Sequence, residues 1–383
     1  MNAPLPAPEQ VFDYAADRIQ QAANSLWPDS AVRLGPHVPS VTAYVRHIEV
    51  DGRPLFAKLS FLGVSLASLL RGACGPWPEA RARQDAYIAA TGGMLERETI
   101  QYGILHTARL RAPKITGYTA GVLFTEPITG STLTDLVVKE PARTADLLAQ
   151  MTEELAHLRQ DQAAALVAAA AIPERSVPAT FHRKFNGLSS RRYLALTGQA
   201  APTLAAVVGR LLRDRLATPP GNTVVFGDLK PEHVIWPTAE PRPAFLDPGM
   251  SLSHPCADYG KVISRLTLAL IADPPGSPRT RLILDGVHSF AGMLTDVMPR
   301  AERAAWLRAL VAMWMMDATS ILTTYLTAPT GLPLPDAAQA VIDHATAVCT
   351  MLDRTTADLN EHRVNGPDLW LRALNNVATA VRG

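Results

Sequence analysis

Val224–Asp247, VVFGDLKPEHVIWPTAEPRPAFLD, constrains this chain more than any other stretch. Apolar Val224, Val225 and Phe226 run into a polar turn, GDLKPEH, which carries an acid (Asp228), a cation (Lys230) and an imidazole (His233). Val234–Trp236 reads as a short apolar strand. A Pro-rich turn follows, and a second strand, Ala244–Leu246, delivers another acid in Asp247-Pro248-Gly249. Buried strands bracketing a polar turn are a way to fix charges rigidly at a cleft. The plainer alternative, two surface acids on an ordinary hairpin, leaves their nineteen-residue spacing a coincidence.

That stretch resembles the catalytic and metal-binding segments of the protein-kinase-like superfamily, and within it the aminoglycoside phosphotransferase and choline kinase type of small-molecule kinase. The superfamily's catalytic loop runs H-x-D-L-x-x-x-x-N and its metal motif is D-x-G. Here the two read Phe226-Gly227-Asp228-Leu229-Lys230-Pro231-Glu232-His233 and Asp247-Pro248-Gly249. Phe226 stands where the family has His, and His233 where it has the metal-binding Asn. The resemblance implies an α+β, protein-kinase-like two-lobe fold. A small antiparallel-sheet N-lobe would cover residues 1–126, with a helical insertion near 61–93, and a larger, mainly helical C-lobe would cover 127–383. It implies an ATP-dependent phosphotransferase that moves the γ-phosphate to a hydroxyl of a small molecule, with an antibiotic as a candidate acceptor. The alternative is a nucleotide-binding pseudokinase or regulatory protein of the same fold.

Carried over residue by residue, the resemblance assigns Asp228 to the acceptor's proton and Lys230 to the γ-phosphate. Asp247 would hold Mg²⁺, with Mn²⁺ as the alternative ion. His233 is the second metal candidate, although magnesium prefers oxygen ligands and imidazole suits softer ions. Lys58, in the strand Arg53–Leu59, would hold the α- and β-phosphates and pair with a helix glutamate. Met94–Thr107 supplies that helix. Leu95, Glu98, Tyr102 and Leu105 fall on one stripe of it, so Glu98 faces inward and Glu96 outward. Glu126–Ile128 matches the hinge whose backbone meets adenine, with GTP left open beside ATP. Lys58, Asp228 and Asp247 are expected to face a common triphosphate. The phosphate-covering loop would be Gly35–Thr42, which has a single Gly and two Pro. Asp258 resembles the acid that steadies the catalytic loop. No activation segment follows Gly249, which argues against a protein substrate.

The rest of the chain is read from its own residues. Ala31–Leu34, Ala43–Val50 and Arg53–Leu59 form a meander turning at Asp51-Gly52, and Lys114–Thr119 and Gly121–Glu126 add two strands. Phe61–Leu70 and Glu79–Ala90 are helices of the insertion, and Thr144–Ala171 is one long helix. Later helices would build the acceptor pocket, with Trp306, Trp314, Tyr325 and Trp370 as walls. A P-loop enzyme is excluded, because no Walker A sequence occurs. Formal net charge is +1, so no global field recruits nucleic acid or a membrane. Cys74, Cys256 and Cys349 lack metal-like spacing and fit a reducing cytoplasm. The N-terminus has no basic segment followed by an apolar run, so no signal peptide is expected. No uninterrupted apolar stretch reaches the roughly 18–20 residues that span a bilayer.

Overall fold

The computed structural model describes residues 5–159, 161–187, 189–215, 221–238, 240–361 and 364–382. The chain packs as two compact units. One takes in Met1–His106, Ala112–Ile128 and Ala328–Asp336, and the other Thr107–Arg111, Thr129–Thr327 and Ala337–Gly383. The first is built on an antiparallel sheet and the second is mainly helical, as the α+β class requires.

The sheet of the first unit contains β1 (Val32–Val38), β2 (Tyr44–Val50), β3 (Arg53–Leu59), β4 (Ile115–Thr119) and β5 (Val122–Thr125), in the order β1-β2-β3-β5-β4. Both two-residue turns carry the positive φ pair of a type I′ hairpin: Asp51 and Gly52 at 51° and 78°, Ala120 and Gly121 at 48° and 75°. The expected phosphate-covering loop is shorter than its sequence suggests. β1 runs on through Gly35-Pro36 to Val38, its register shifting between Leu34 and His37, because His37 packs on Phe12 and Tyr44. In the insertion the helix starts only at Leu66, capped by the Ser65 hydroxyl. Leu62 and Gly63, at φ 52° and 68°, make a turn that bridges Phe61 to Val64 and prevents an earlier start. A second helix, Trp77–Ala89, joins Trp77 to Phe61 and to Tyr14 of the N-terminal helix Pro8–Leu26.

In the second unit, β6 (Gly130–Thr132) pairs with β8 (Val234–Pro237), which pairs with β9 (Ala244–Phe245). A separate ladder joins β7 (Thr223–Val225) to β10 (Ser251–Ser253). The hairpin read from Val224–Asp247 is therefore present, with two short strands, β6 and β10, added by distant pairing. Thr144–Ala171 is not one helix. It breaks after Leu155 into a tight turn, Ala156–Arg159, where Leu158 is buried and Arg159 reaches the Tyr259 hydroxyl at 3.0 Å. Asp161–Ala169 resumes the helix, and residue 160 lies outside the described residues. Helices Cys256–Ala272 and Arg300–Leu326 pack on one another at the centre. Arg300–Leu326 is the one helix among the described residues long and apolar enough to cross a bilayer, and 89% of its most apolar window is buried.

Trp314 and Trp370 are core rather than pocket walls. Their rings lie 5.9 Å apart, and each indole N–H is spent inside, on Thr267 Oγ1 and His288 Nδ1 at 3.0 Å. Large indoles with a buried N–H partner belong in an interior. Trp306 is buried as well, and Tyr325 is half-buried.

Candidate active site

The sheet unit brings Lys58 and Glu98 together. Lys58 pairs across the sheet with Val45 and Leu123, so it stands on a central strand. The helix Met94–Thr107 buries Leu95, Tyr102 and Leu105 against the unit's core, and Glu98 goes in with them. Lys58 Nζ lies 2.8 Å from Glu98 Oε1, with the two side chains 11% and 0% exposed. A carboxylate buried this far is tolerated only with a charged partner. Glu126 is engaged differently: its carboxylate pairs with Arg53, and its N–H donates to Lys114 O at 2.9 Å. Ile128 is half-buried, just beyond the sheet.

The helical unit holds Asp228, Lys230, His233 and Asp247. Gly227 makes the turn possible, since it has φ 81° and a Cβ there would run into the Gly249 carbonyl. Phe226, where the resemblance implies His, is a packing residue whose ring meets Phe245 at 5.8 Å. Asp258, at the start of the helix Cys256–Ala272, grips the turn from below. Its two carboxylate oxygens accept the N–H groups of Phe226 and Gly227, both at 2.7 Å. Burial pushes the Asp258 carboxyl up to about 6, against the pull of those two N–H groups and of Lys261 and Arg159.

Asp228 is clamped from both sides. Oδ2 lies 3.0 Å from Lys230 Nζ and Oδ1 lies 2.9 Å from Lys261 Nζ. Burial works to raise its carboxyl, but the ammonium groups of Lys230 and Lys261, then His233 and Arg175, outweigh it and hold it well below the usual range. Arg175, from the segment that follows the Asp161–Ala169 helix, donates to Pro248 O at 2.7 Å and so braces the Asp247-Pro248-Gly249 turn. Lys261 and Arg175 escaped the motif reading. For Lys261 the available signal was its place three residues beyond Asp258, on the same helix face.

His233 Nε2 stands 3.8 Å from Asp247 Oδ2, and the His233 backbone carbonyl accepts the Leu246 N–H at 2.8 Å. Asp247 is 37% exposed and adopts φ 53°. Burial and the Lys230 charge lower the His233 imidazole below its ordinary value, which keeps it neutral. Its Nδ1 is buried without a hydrogen-bond partner among the described residues. No group of three or more His, Cys, Asp or Glu gathers among the described residues. Asp247 offers the oxygen donor that magnesium takes beside phosphate and water, while the neutral His233 imidazole suits a softer divalent ion.

A model of the phosphotransferase enzyme family (APH) matches residues 94–314. A search of curated proteins found no match. Among solved structures, the chain is similar to the ethanolamine kinase of Plasmodium vivax, with 11% identity over 87% of this chain and 85% of that one and a TM-score of 0.48. The ADP-bound aminoglycoside phosphotransferase APH(2'')-Ib gives 14%, 90%, 99% and 0.43 in the same order. The choline kinase LicA of Streptococcus pneumoniae gives 13%, 96%, 99% and 0.42. The family match covers more than half of the chain and includes Glu98, Asp228, Lys230, Asp247 and Asp258, and the chain belongs to the phosphotransferase enzyme family.

Proposed function

We propose that this phosphotransferase uses ATP to phosphorylate an alcohol group of a small molecule in the cytoplasm. The observation that carries the reading is the Asp228 turn. Two ammonium groups, at 2.9 and 3.0 Å, keep its carboxylate ionised, and Asp258 fixes the backbone that presents it. Phosphoryl transfer needs positioned charge rather than a covalent intermediate on the protein. Asp228 orients the acceptor hydroxyl. The hydroxyl oxygen bonds to the γ-phosphorus, the bond to the bridging oxygen breaks, and ADP leaves. In a loose transition state the proton departs late, so a weakly basic Asp228 suffices to guide it toward solvent. Lys230 neutralises the moving phosphoryl group. Lys58, held by Glu98, binds the nucleotide phosphates, and the backbone of Glu126 and Ile128 receives adenine. Asp247, with His233 beside it, would hold Mg²⁺ or Mn²⁺, and the ion would offset the negative charge of the phosphates.

An antibiotic acceptor is the narrower proposal, with amino alcohols, nucleosides and other metabolites as the alternatives. The test is a panel of aminoglycosides, other antibiotics, choline, ethanolamine and nucleosides incubated with γ-labelled ATP and either metal. Label should pass to at least one acceptor and fail to do so with Asp228→Asn. Transfer that persists undiminished in that variant overturns the assignment.

A further inference from the structure

The two ammonium groups on Asp228 differ in how they are held. Lys261 Nζ donates to Asp228 Oδ1 at 2.9 Å, to Gly227 O at 2.9 Å and to Arg175 O at 3.0 Å. Three bonds use every N–H of an ammonium. The side chain is 5% exposed and rises from the same helix face as Asp258, which grips Phe226 and Gly227. Lys230 sits on the turn itself and is 13% exposed. Among the described residues, Asp228 is the one carboxylate it meets. Lys230 can therefore leave for a phosphate, and Lys261 cannot.

We propose that Lys261 is a positioning residue for phosphoryl transfer, the permanent counter-ion that holds the Asp228 carboxylate in place while Lys230 moves to the transferred phosphate. The inference rests on the reading of Asp228 given above. The titratable and charged groups facing Asp228 are Lys230 and the neutral His233 from its own turn, Arg175, and Lys261 from the helix Cys256–Ala272. Arg175 donates to Pro248 O, and His233 Nε2 stands 3.8 Å from Asp247 Oδ2. Of the two ammonium groups that contact Asp228, Lys261 is the one that remains once Lys230 departs, and without it a nearly buried carboxylate loses its paired charge. Oδ2, the oxygen that Lys230 vacates, is then the one open to the acceptor hydroxyl. Lys261 itself gives up no proton and touches no phosphate.

The full chain is assayed for phosphate release from Mg-ATP with water as acceptor, and ¹³C-carboxyl NMR follows residue 228, assigned by its loss in Asp228→Asn. Lys261→Met should slow turnover about 10²-fold, the usual scale for a misplaced catalytic group, with the KM for ATP within about twofold. The carboxyl of residue 228 should begin to titrate at a pH where the wild type stays ionised. In the Asp228→Asn background the same substitution should cost less than about threefold, since it acts through that carboxylate. Turnover within threefold of wild type with an unmoved carboxyl signal, or losses that simply multiply in the double variant, overturns the proposal. Wild-type turnover by Asp228→Asn would instead sink the underlying reading of Asp228, and the carboxyl titration would still judge the clamp. Should Lys261→Met fail to fold, the wild-type protein serves. On adding Mg-AMP-PNP the Lys261 ammonium NMR signal should stay and that of Lys230 should move. The opposite pattern refutes the idea.

Discussion

Replacing Asp258 by Asn tests the support beneath the catalytic turn. Asp258 makes two bonds of 2.7 Å to consecutive N–H groups, a job that needs two acceptor oxygens. An amide has one, and its NH₂ would point a donor at the other N–H. A hydrogen bond to a charged group contributes roughly 1.5–3 kcal/mol, and an orphaned buried donor costs about 1–3 kcal/mol more. Removing a carboxylate that burial already penalises recovers part of this, which leaves a net loss of about 2–4 kcal/mol. Thermal unfolding should show a fall of roughly 5–10 °C in the transition of the helical unit. Asp258 touches no substrate, so the KM for ATP should hold while kcat drops about 10–100-fold. The pH dependence has a definite sign. With its carboxyl at about 6 in the folded chain against about 3.9 unfolded, Asp258 takes up its proton first in the native state. Its contribution to stability is therefore complete below about 3.9 and is lost as pH rises through 6, a swing of roughly 2–3 kcal/mol. Activity should run the other way, falling below pH 6 as the protonated acid loses one of its two N–H partners. A variant with native melting and native kcat, and no change in the pH 6 limb, would refute the reasoning.

Glu98→Ala should destabilise the sheet unit by about 3–5 kcal/mol, because it strands a buried Lys58 ammonium; the double change Lys58→Met with Glu98→Leu should recover most of that in chemical denaturation while calorimetry shows nucleotide binding still lost. Gly227→Ala should abolish phosphotransfer and cost more than about 3 kcal/mol, since it combines a left-handed φ with a clash against the Gly249 carbonyl; a soluble, active variant would disprove the close approach. Ala120→Gly should raise the unfolding midpoint by an amount equivalent to about 1 kcal/mol, relieving a non-glycine residue at φ 48°, and an unchanged midpoint would show that the turn is unstrained.

The parts legible in the sequence are those whose signals are local. Strand–turn–strand alternation exposed the Val224–Asp247 hairpin, and helical spacing alone picked Glu98 over Glu96 as the buried acid. Asp258 was visible through its place after the metal motif. Features made by distant partners were not legible. β6 and β10 are three residues each and exist only because β8 and β7 lie beside them. Lys261 looked like one more helix lysine, since the carboxylate it meets is thirty-three residues away. The tryptophans misled for a related reason: an aromatic stripe suits a pocket or a core equally, and only the neighbours at Thr267 and His288 decide between them.

The helix Arg300–Leu326 has a consequence for how the protein is made. It is covered in part by Ala345–Asn360 and Gly366–Ala380, which the ribosome adds after it. At ordinary translation rates those segments arrive roughly 3–10 s later. Through that interval a long apolar face stands partly bare, so a chain stopped after Leu326 should be captured by chaperones.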